Sequence, residues 1–179
     1  MRRISTRLAA GAATLAVTVA GLVTLSPSPA FAVVPINCGP YSGGPAPAGY
    51  MVIDMPALNI EMYNGMFDVV PLFIIGTERA NTIVGSPFDD IICARGEDDF
   101  VDGIEGDDEI YGANGADVIY GGEDDDFISA GAQGDDIHGD AFNGGGSGND
   151  IIQGGAGVDT ADGDAGADAC AGVEFPTSC

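Results

Sequence analysis

Lysine and tryptophan are absent from this chain of 179 residues, histidine occurs once, and five arginines are its whole stock of fixed positive charge. Against them stand 28 acidic residues, for a formal net charge of −23. That balance excludes electrostatic binding of nucleic-acid phosphates or anionic lipid. It predicts cations as ligands instead. The same scarcity thins out the catalytic options: there is no His-Glu-x-x-His, no Gly-x-Ser-x-Gly and no Cys/His pair, and the lone His138 falls at an outward strand position. Paired carboxylates could imitate the acid and base of a glycosidase, but the aspartates have a better use, given below. The chain reads as a non-enzyme.

Long hydrophobic runs are confined to the start. Arg2, Arg3 and Arg7 precede an apolar run over residues 8–25, which ends in Pro27, Pro29 and Ala30-Phe31-Ala32. A basic start, an apolar middle and a small-x-small end describe a secretory signal peptide at residues 1–32, cut after Ala32. The alternative, a membrane anchor, suits the prolines less well, and nothing later is apolar for long enough to span a bilayer. Cleavage leaves Arg79 and Arg95 against all 28 acidic residues, a net charge of −26. The expected location is extracellular.

What the chain has in abundance is glycine and aspartate, in a fixed order. Units of nine start at Gly76, Gly85, Ala94, Gly103, Gly112, Gly121, Ala130, Gly145, Gly154 and Gly163, with one six-residue interruption at residues 139–144. At the sixth place stand Asn81, Asp90, Asp99, Asp108, Asp117, Asp126, Asp135, Asp150, Asp159 and Asp168. At the eighth place stand Ile83, Ile92, Val101, Ile110, Ile119, Ile128, Ile137, Ile152, Ala161 and Cys170. A Gly- and Asp-rich composition by itself suits disorder, but disorder has no reason to keep an aliphatic residue two places after every aspartate. A buried position does. In Gly103-Ile104-Glu105-Gly106-Asp107-Asp108-Glu109-Ile110-Tyr111, six residues suit a turn with positive backbone angles and three a short strand. Alternation within the triplet sends Ile110 inward and leaves Glu109 and Tyr111 facing water.

This nonapeptide, Gly-Gly-x-Gly-x-Asp-x-aliphatic-x, resembles the repeats-in-toxin (RTX) hemolysin-type calcium-binding repeat. The copies at residues 103–111, 112–120, 145–153 and 154–162 carry the likeness best. The resemblance implies an all-β fold, a calcium-bound parallel β-roll, in a small secreted bacterial protein. It also implies that each six-residue turn wraps a calcium ion with its sixth-place carboxylate and backbone carbonyls. The metal-site residues expected on this basis are Asp90, Asp99, Asp108, Asp117, Asp126, Asp135, Asp150, Asp159 and Asp168. Many relatives leave the cell through a dedicated channel using an uncleaved tail, and the amino-terminal signal of this chain departs from that.

Elementary electrostatics agrees with a metal requirement. Stacked turns would bring sixth-place carboxylates within about 5 Å of each other, where two charges repel by about 3 kcal/mol at an effective dielectric near 20. A hard divalent cation reverses that sign and also satisfies turn carbonyls, and irregular carbonyl-rich cages favour calcium over magnesium. Ten units at two per coil give a roll about 24 Å long, with same-side pairing for up to about eight ions. The copies are unequal. Asn81 replaces the first carboxylate, and units 85, 94, 121 and 130 lose the fourth-place glycine to Phe88, Glu97, Asp124 and Gln133. The middle and last units are expected to hold metal most firmly.

Outside the array, residues 33–75 are expected to form an amino-terminal cap over the open end of the solenoid, with Phe73-Ile74-Ile75 available as a first strand. The alternative is a partner-binding face of Met51, Met55, Met62, Tyr63, Met66 and Phe67. Residues 76–171 form the β-roll and residues 172–179 a disulfide cap. Cys38, Cys93, Cys170 and Cys179 allow three pairings in a secreted protein. Cys170 with Cys179 is favoured, because Cys170 holds the last inward place and the tail can fold back on it. Cys38 with Cys93 would then tie the leader to the first coils.

Function follows as a secreted calcium-binding β-roll that folds as it binds several calcium ions, structural or adhesive, with cell-surface polysaccharide or protein as partner. The competing reading is a polysaccharide-modifying extracellular enzyme carrying such a module.

Overall fold

The computed structural model describes residues 13–17, 23–27, 38, 40, 46–58, 62–65, 69–142 and 144–179, the first two spans as backbone only. Strands β1 (Ala13–Val17) and β2 (Val23–Pro27) pair antiparallel in a small sheet of their own. The rest of the expected signal segment lies outside the described residues, as do Met66 and Phe67. Among the described residues no helix is long and apolar enough to cross a membrane.

All other pairing is parallel, in two sheets of seven strands. The first sheet takes β3 (Met51–Asp54), β5 (Leu72–Ile75), β7 (Ile91–Gly96), β9 (Glu109–Asn114), β11 (Phe127–Ala132), β13 (Ile151–Ala156) and β15 (Ala169–Ala171). The second takes β4 (Met62–Asn64), β6 (Thr82–Val84), β8 (Phe100–Glu105), β10 (Val118–Glu123), β12 (Asp136–Asp140), β14 (Thr160–Asp162) and β16 (Phe175–Thr177). A single helical turn, α1 (Met55–Leu58), follows β3. The chain alternates between the sheets, so each strand lies beside the one a full coil away. This is the parallel β-roll expected from the repeat.

The eighth-place residues stack in register. Ile74, Ile92, Ile110, Ile128, Ile152 and Cys170 run along the first sheet. Ile83, Val101, Ile119, Ile137 and Ala161 run along the second. The two ladders face each other and form one core, with the aliphatic residues among them fully buried. Period two within each triplet, repeated every nine residues, suffices to build it.

Seven strands per sheet, rather than five, make the roll longer than its repeats. At the amino-terminal end, Ile53 aligns with Ile74 and Tyr63 with Ile83, so residues 51–75 wind into the sheets at irregular spacing. Met55 and Tyr63 sit in the core, while Met62 is exposed. At the other end β16 pairs with β14, placing Pro176 beside Ala161. Cys170 is bonded to Cys179 and Cys38 to Cys93, with Cα–Cα separations of 5.6 and 5.3 Å.

Two sequence expectations are corrected. Tyr111 does not face water: it is 8% exposed, in a second apolar cluster with Cys38, Phe73, Ile75, Ile91 and Cys93. Ala46, Tyr50 and Val52 of the leader pack against that cluster, so the leader covers the outer face of the first sheet. The interruption also shifts toward the carboxyl end. Gly139 remains in β12, and a Cβ there would meet Asp150 Oδ2 and the Gly163 carbonyl, the surroundings of a first-place residue. Gly145, aligned there by sequence, faces open space, and Gly146 resumes the coil against Gly122. Asp140 still ends β12 in register with Gly122, so the excursion begins after it and closes before Gly146.

Candidate metal centre

The turns joining the sheets form two rows. One carries Asn81, Asp99, Asp117, Asp135 and Asp159; the other carries Asp90, Asp108, Asp126, Asp150 and Asp168. All are buried except Asp168, which is partly so. Strand register fixes their stacking. Each carboxylate reaches back one coil and accepts the backbone N–H of the previous sixth-place residue through Oδ1. The bonds run from Asn81 N–H to Asp99 (2.7 Å), Asp99 to Asp117 (2.8 Å), Asp117 to Asp135 (2.9 Å) and Asp135 to Asp159 (3.0 Å). In the other row they run from Asp90 N–H to Asp108 (2.7 Å), Asp108 to Asp126 (2.8 Å), Asp126 to Asp150 (2.9 Å) and Asp150 to Asp168 (3.0 Å).

The second oxygen distinguishes these residues. Oδ2 of Asp99, Asp108, Asp117, Asp126, Asp135, Asp150, Asp159 and Asp168 is buried and has no hydrogen-bond partner within the protein. Each of these oxygens for which the first-place residue is glycine lies beside that glycine's Cα, together with a carbonyl from the next coil. A Cβ on Gly103 would meet Asp108 Oδ2 and the Gly121 carbonyl; on Gly112, Asp117 Oδ2 and the Ala130 carbonyl; on Gly154, Asp159 Oδ2 and the Gly172 carbonyl. Glycine leaves that space open at these three turns, whereas alanine, Ala94 and Ala130, holds the first place beside Asp99 and Asp135.

Orphaned buried anionic oxygens are costly. Burial pushes the Asp108 carboxyl up to about 10, Asp99 and Asp126 to about 8, Asp135 to about 7, and Asp117 and Asp150 to about 6. The N–H bond from the previous coil opposes each rise, and neighbouring carboxylates add to it. Such a site calls for positive charge. Among the described residues no three acidic, His or Cys side chains converge. The donors are instead one carboxylate oxygen per turn and backbone carbonyls, an all-oxygen set that fits a hard cation such as calcium.

Four copies of the RTX calcium-binding nonapeptide repeat match the chain, at residues 75–110, 102–137, 111–144 and 144–172. Together they span more than half of it. The chain belongs to the RTX calcium-binding repeat family. No curated protein and no solved structure matches it significantly. The RTX β-roll is a structural calcium-binding module and not a catalytic fold.

The structure sorts the nine expected aspartates. Asp90 stands apart, because its Oδ2 accepts the Ser86 N–H at 2.6 Å and its Oδ1 accepts Leu72 N–H at 2.7 Å and the Ser86 hydroxyl at 2.9 Å. Asn81 is similarly occupied by Thr77, whose N–H lies 2.6 Å from its Oδ1. Sequence reasoning missed Glu174. Its Oε2 accepts the Asp159 N–H at 2.9 Å and so takes the sixth-place role in the next turn. It lies only 15 residues after Asp159, off the period, and only the placing of Phe175 beside Thr160 reveals it. Asp140 was also missed. It is 4% exposed, and its Oδ1 is a ninth orphaned oxygen among the aspartates.

Rings gather on the outer face of the second sheet. His138 stacks on Tyr120 at 4.7 Å, and Phe142 meets Tyr120 edge-on at 5.1 Å and Phe100 at 6.2 Å. Phe142 is 58% exposed.

Proposed function

We propose that this RTX protein is exported by a signal peptide at residues 1–32 and folds outside the cell as calcium binds. Asp99, Asp108, Asp117, Asp126, Asp135, Asp150, Asp159 and Asp168 hold the ions through Oδ2, with first-place carbonyls completing each cage. Asp90, expected from the repeat to be a ligand, stands outside this set, because both its oxygens already accept donors from the protein. The observation that carries this reading is the set of eight buried Oδ2 atoms without partners, which fits up to about eight ions. Because the cage exists only when turns stack, calcium affinity is folding free energy.

Circular dichroism of the chain before and after chelation, with calorimetric titration of calcium, tests the proposal. We expect loss of β signal on chelation, its return on adding calcium, and several ions per chain. An unchanged spectrum, or a stoichiometry of one or two, overturns it.

The role we propose is structural or adhesive, at the cell surface, with Cys38, Ala46, Tyr50 and Val52 of the leader packed on the first sheet. The aromatic face of Phe100, Tyr120, His138 and Phe142 favours polysaccharide as the partner, since flat rings stack on sugar faces. Calcium-dependent retention on cell-wall polysaccharide is the expected result. Release of oligosaccharide would favour the polysaccharide-modifying enzyme instead.

A further inference from the structure

The loop that interrupts the repeat starts after Asp140, the last residue of β12, which pairs with Gly122. The loop closes on itself: the Gly144 N–H donates to the Ala141 carbonyl at 2.8 Å and the Ala141 N–H to the Gly145 carbonyl at 3.3 Å. Phe142 anchors its tip on Tyr120 and Phe100. With the loop held outward, Asp140 at its base is buried, and its Oδ2 accepts the Ala165 N–H of the next coil at 2.9 Å. Its Oδ1 is buried with no partner.

The backbone N–H groups of Ala165 and Gly148 favour the charged form of Asp140, and the turn beside it carries an orphaned oxygen of its own. The preceding residue, Gly139, faces Asp150 Oδ2 and the Gly163 carbonyl, and Asp150 Oδ2 is likewise without a partner. The charges of Asp168 and, less strongly, Asp140 are felt at Asp150, and those of Asp164 and, less strongly, Asp168 at Asp140. Elsewhere in the rows the corresponding turn has one such carboxylate and no second-place acid that is buried.

Resting on the calcium reading above, we infer that Asp140 is an additional ligand, which makes the position beside Gly139 a two-carboxylate site and the tightest calcium site of the roll. Two carboxylates completed by carbonyls remain consistent with the lack of any three converging acidic side chains among the described residues. Ligand charge count is a main determinant of calcium affinity. The break in the repeat is thus a strengthened site, where the sequence pattern alone suggests a lost one.

The test is calorimetric titration of the chelator-stripped full chain with calcium chloride, wild type against Asp140→Asn. Asparagine keeps an oxygen for the Ala165 N–H and removes the charge. The tightest class of sites should weaken by about tenfold or more while the remaining isotherm superimposes. A second variant lacking residues 140–145, which restores an uninterrupted spacing and keeps every sixth-place aspartate, should fold with calcium and lack the tight class. An unchanged tight class in either variant overturns the inference alone. A wild-type chain that takes up no calcium overturns the calcium reading with it.

Discussion

The first turn of each row and the turns that follow use the same side chain in different ways. At Asn81 and Asp90 the second-place residue, Thr77 or Ser86, folds its N–H onto the sixth-place side chain, and the protein satisfies that side chain by itself. From Asp99 to Asp159 the strands run on through the second place, as in β7 and β8. There the second-place residues Arg95, Ile104 and Ala113 take positive φ, and the carboxylate Oδ2 is left with no donor. A turn that completes its own hydrogen bonds does not need a cation, and one that cannot does. On the calcium reading proposed above, the early turns are self-contained ends of the rows and the metal requirement begins one coil in.

Acidity is the broadest way to break this contrast. The carboxyls of Asp99, Asp108, Asp117, Asp126, Asp135 and Asp150 have folded-state pKa values of about 6 to about 10, above the ~3.9 of an unfolded aspartate. The metal-free roll therefore holds protons that the unfolded chain has released. The stability these protons contribute is fully present below about pH 4 and is lost as pH rises through about 6 to about 10. Calcium-free protein should show more β signal by circular dichroism at pH 4 than at pH 8. With calcium present the order reverses, since protons compete with the ion for the same oxygens. Calcium-free β content that rose with pH would contradict the burial of these groups.

Blocking the space beside one glycine comes next. In Gly103→Ala the added methyl meets Asp108 Oδ2 and the Gly121 carbonyl, and in Gly76→Ala it meets Asn81 Oδ1 and the Ala94 carbonyl. The steric insult is alike, about 1–3 kcal/mol in each. Only the first should also lose or weaken an ion, as read by calorimetric titration, because the backbone at Gly103 leaves no room for the methyl that Ala94 and Ala130 carry in their own turns. Gly96→Ala, whose methyl finds its nearest neighbour, Glu78 Oε2, at 3.4 Å, is the control that should change little. Equal ion counts for Gly76→Ala and Gly103→Ala would erase the distinction between early and late turns.

Charge exchange is the subtler form of the same experiment. Asp117→Asn keeps an oxygen for the Asp99 N–H and should lose one calcium. Asn81→Asp adds a carboxylate where the Thr77 N–H already occupies the oxygen, and should gain none. An extra ion bound by the Asn81→Asp variant would show that the carboxylate alone makes a site, whatever its second-place neighbour does.

The period made most of this legible. Nine-residue spacing with an aliphatic eighth place dictated parallel strands, an Ile110-like core and rows of carboxylates, because each depends only on local alternation and stacking. What the period could not carry lay where the spacing changes. Glu174 joins a row after a shortened step, Asp140 stands at the base of an inserted loop, and the strands of residues 51–75 have no repeat to announce them. The burial of Tyr111 was equally hidden, since it depends on a leader that crosses the outer face of a sheet and leaves no mark on the repeat. The first-turn hydrogen bonds did leave a trace, in the hydroxyls of Thr77 and Ser86, but its meaning needs the geometry.

The smallest effect separates metal need from backbone strain. Late turns demand positive φ at the second place, and Ile104 adopts φ 93° there, which a β-branched residue tolerates poorly. Its equivalent one coil on, Gly122, has no such cost, with φ 138°. Ile104→Gly should relieve about 1–2 kcal/mol of left-handed strain and give back part of it, about 0.5–1 kcal/mol, as lost backbone entropy. The expected net is a gain in Tm of a few degrees in saturating calcium, at unchanged ion count. A fall in Tm would mean that the Ile104 side chain contributes packing that outweighs its strain. An altered ion count would mean that second-place geometry controls the cage as well as the hydrogen bond, tying the two halves of the contrast to a single cause.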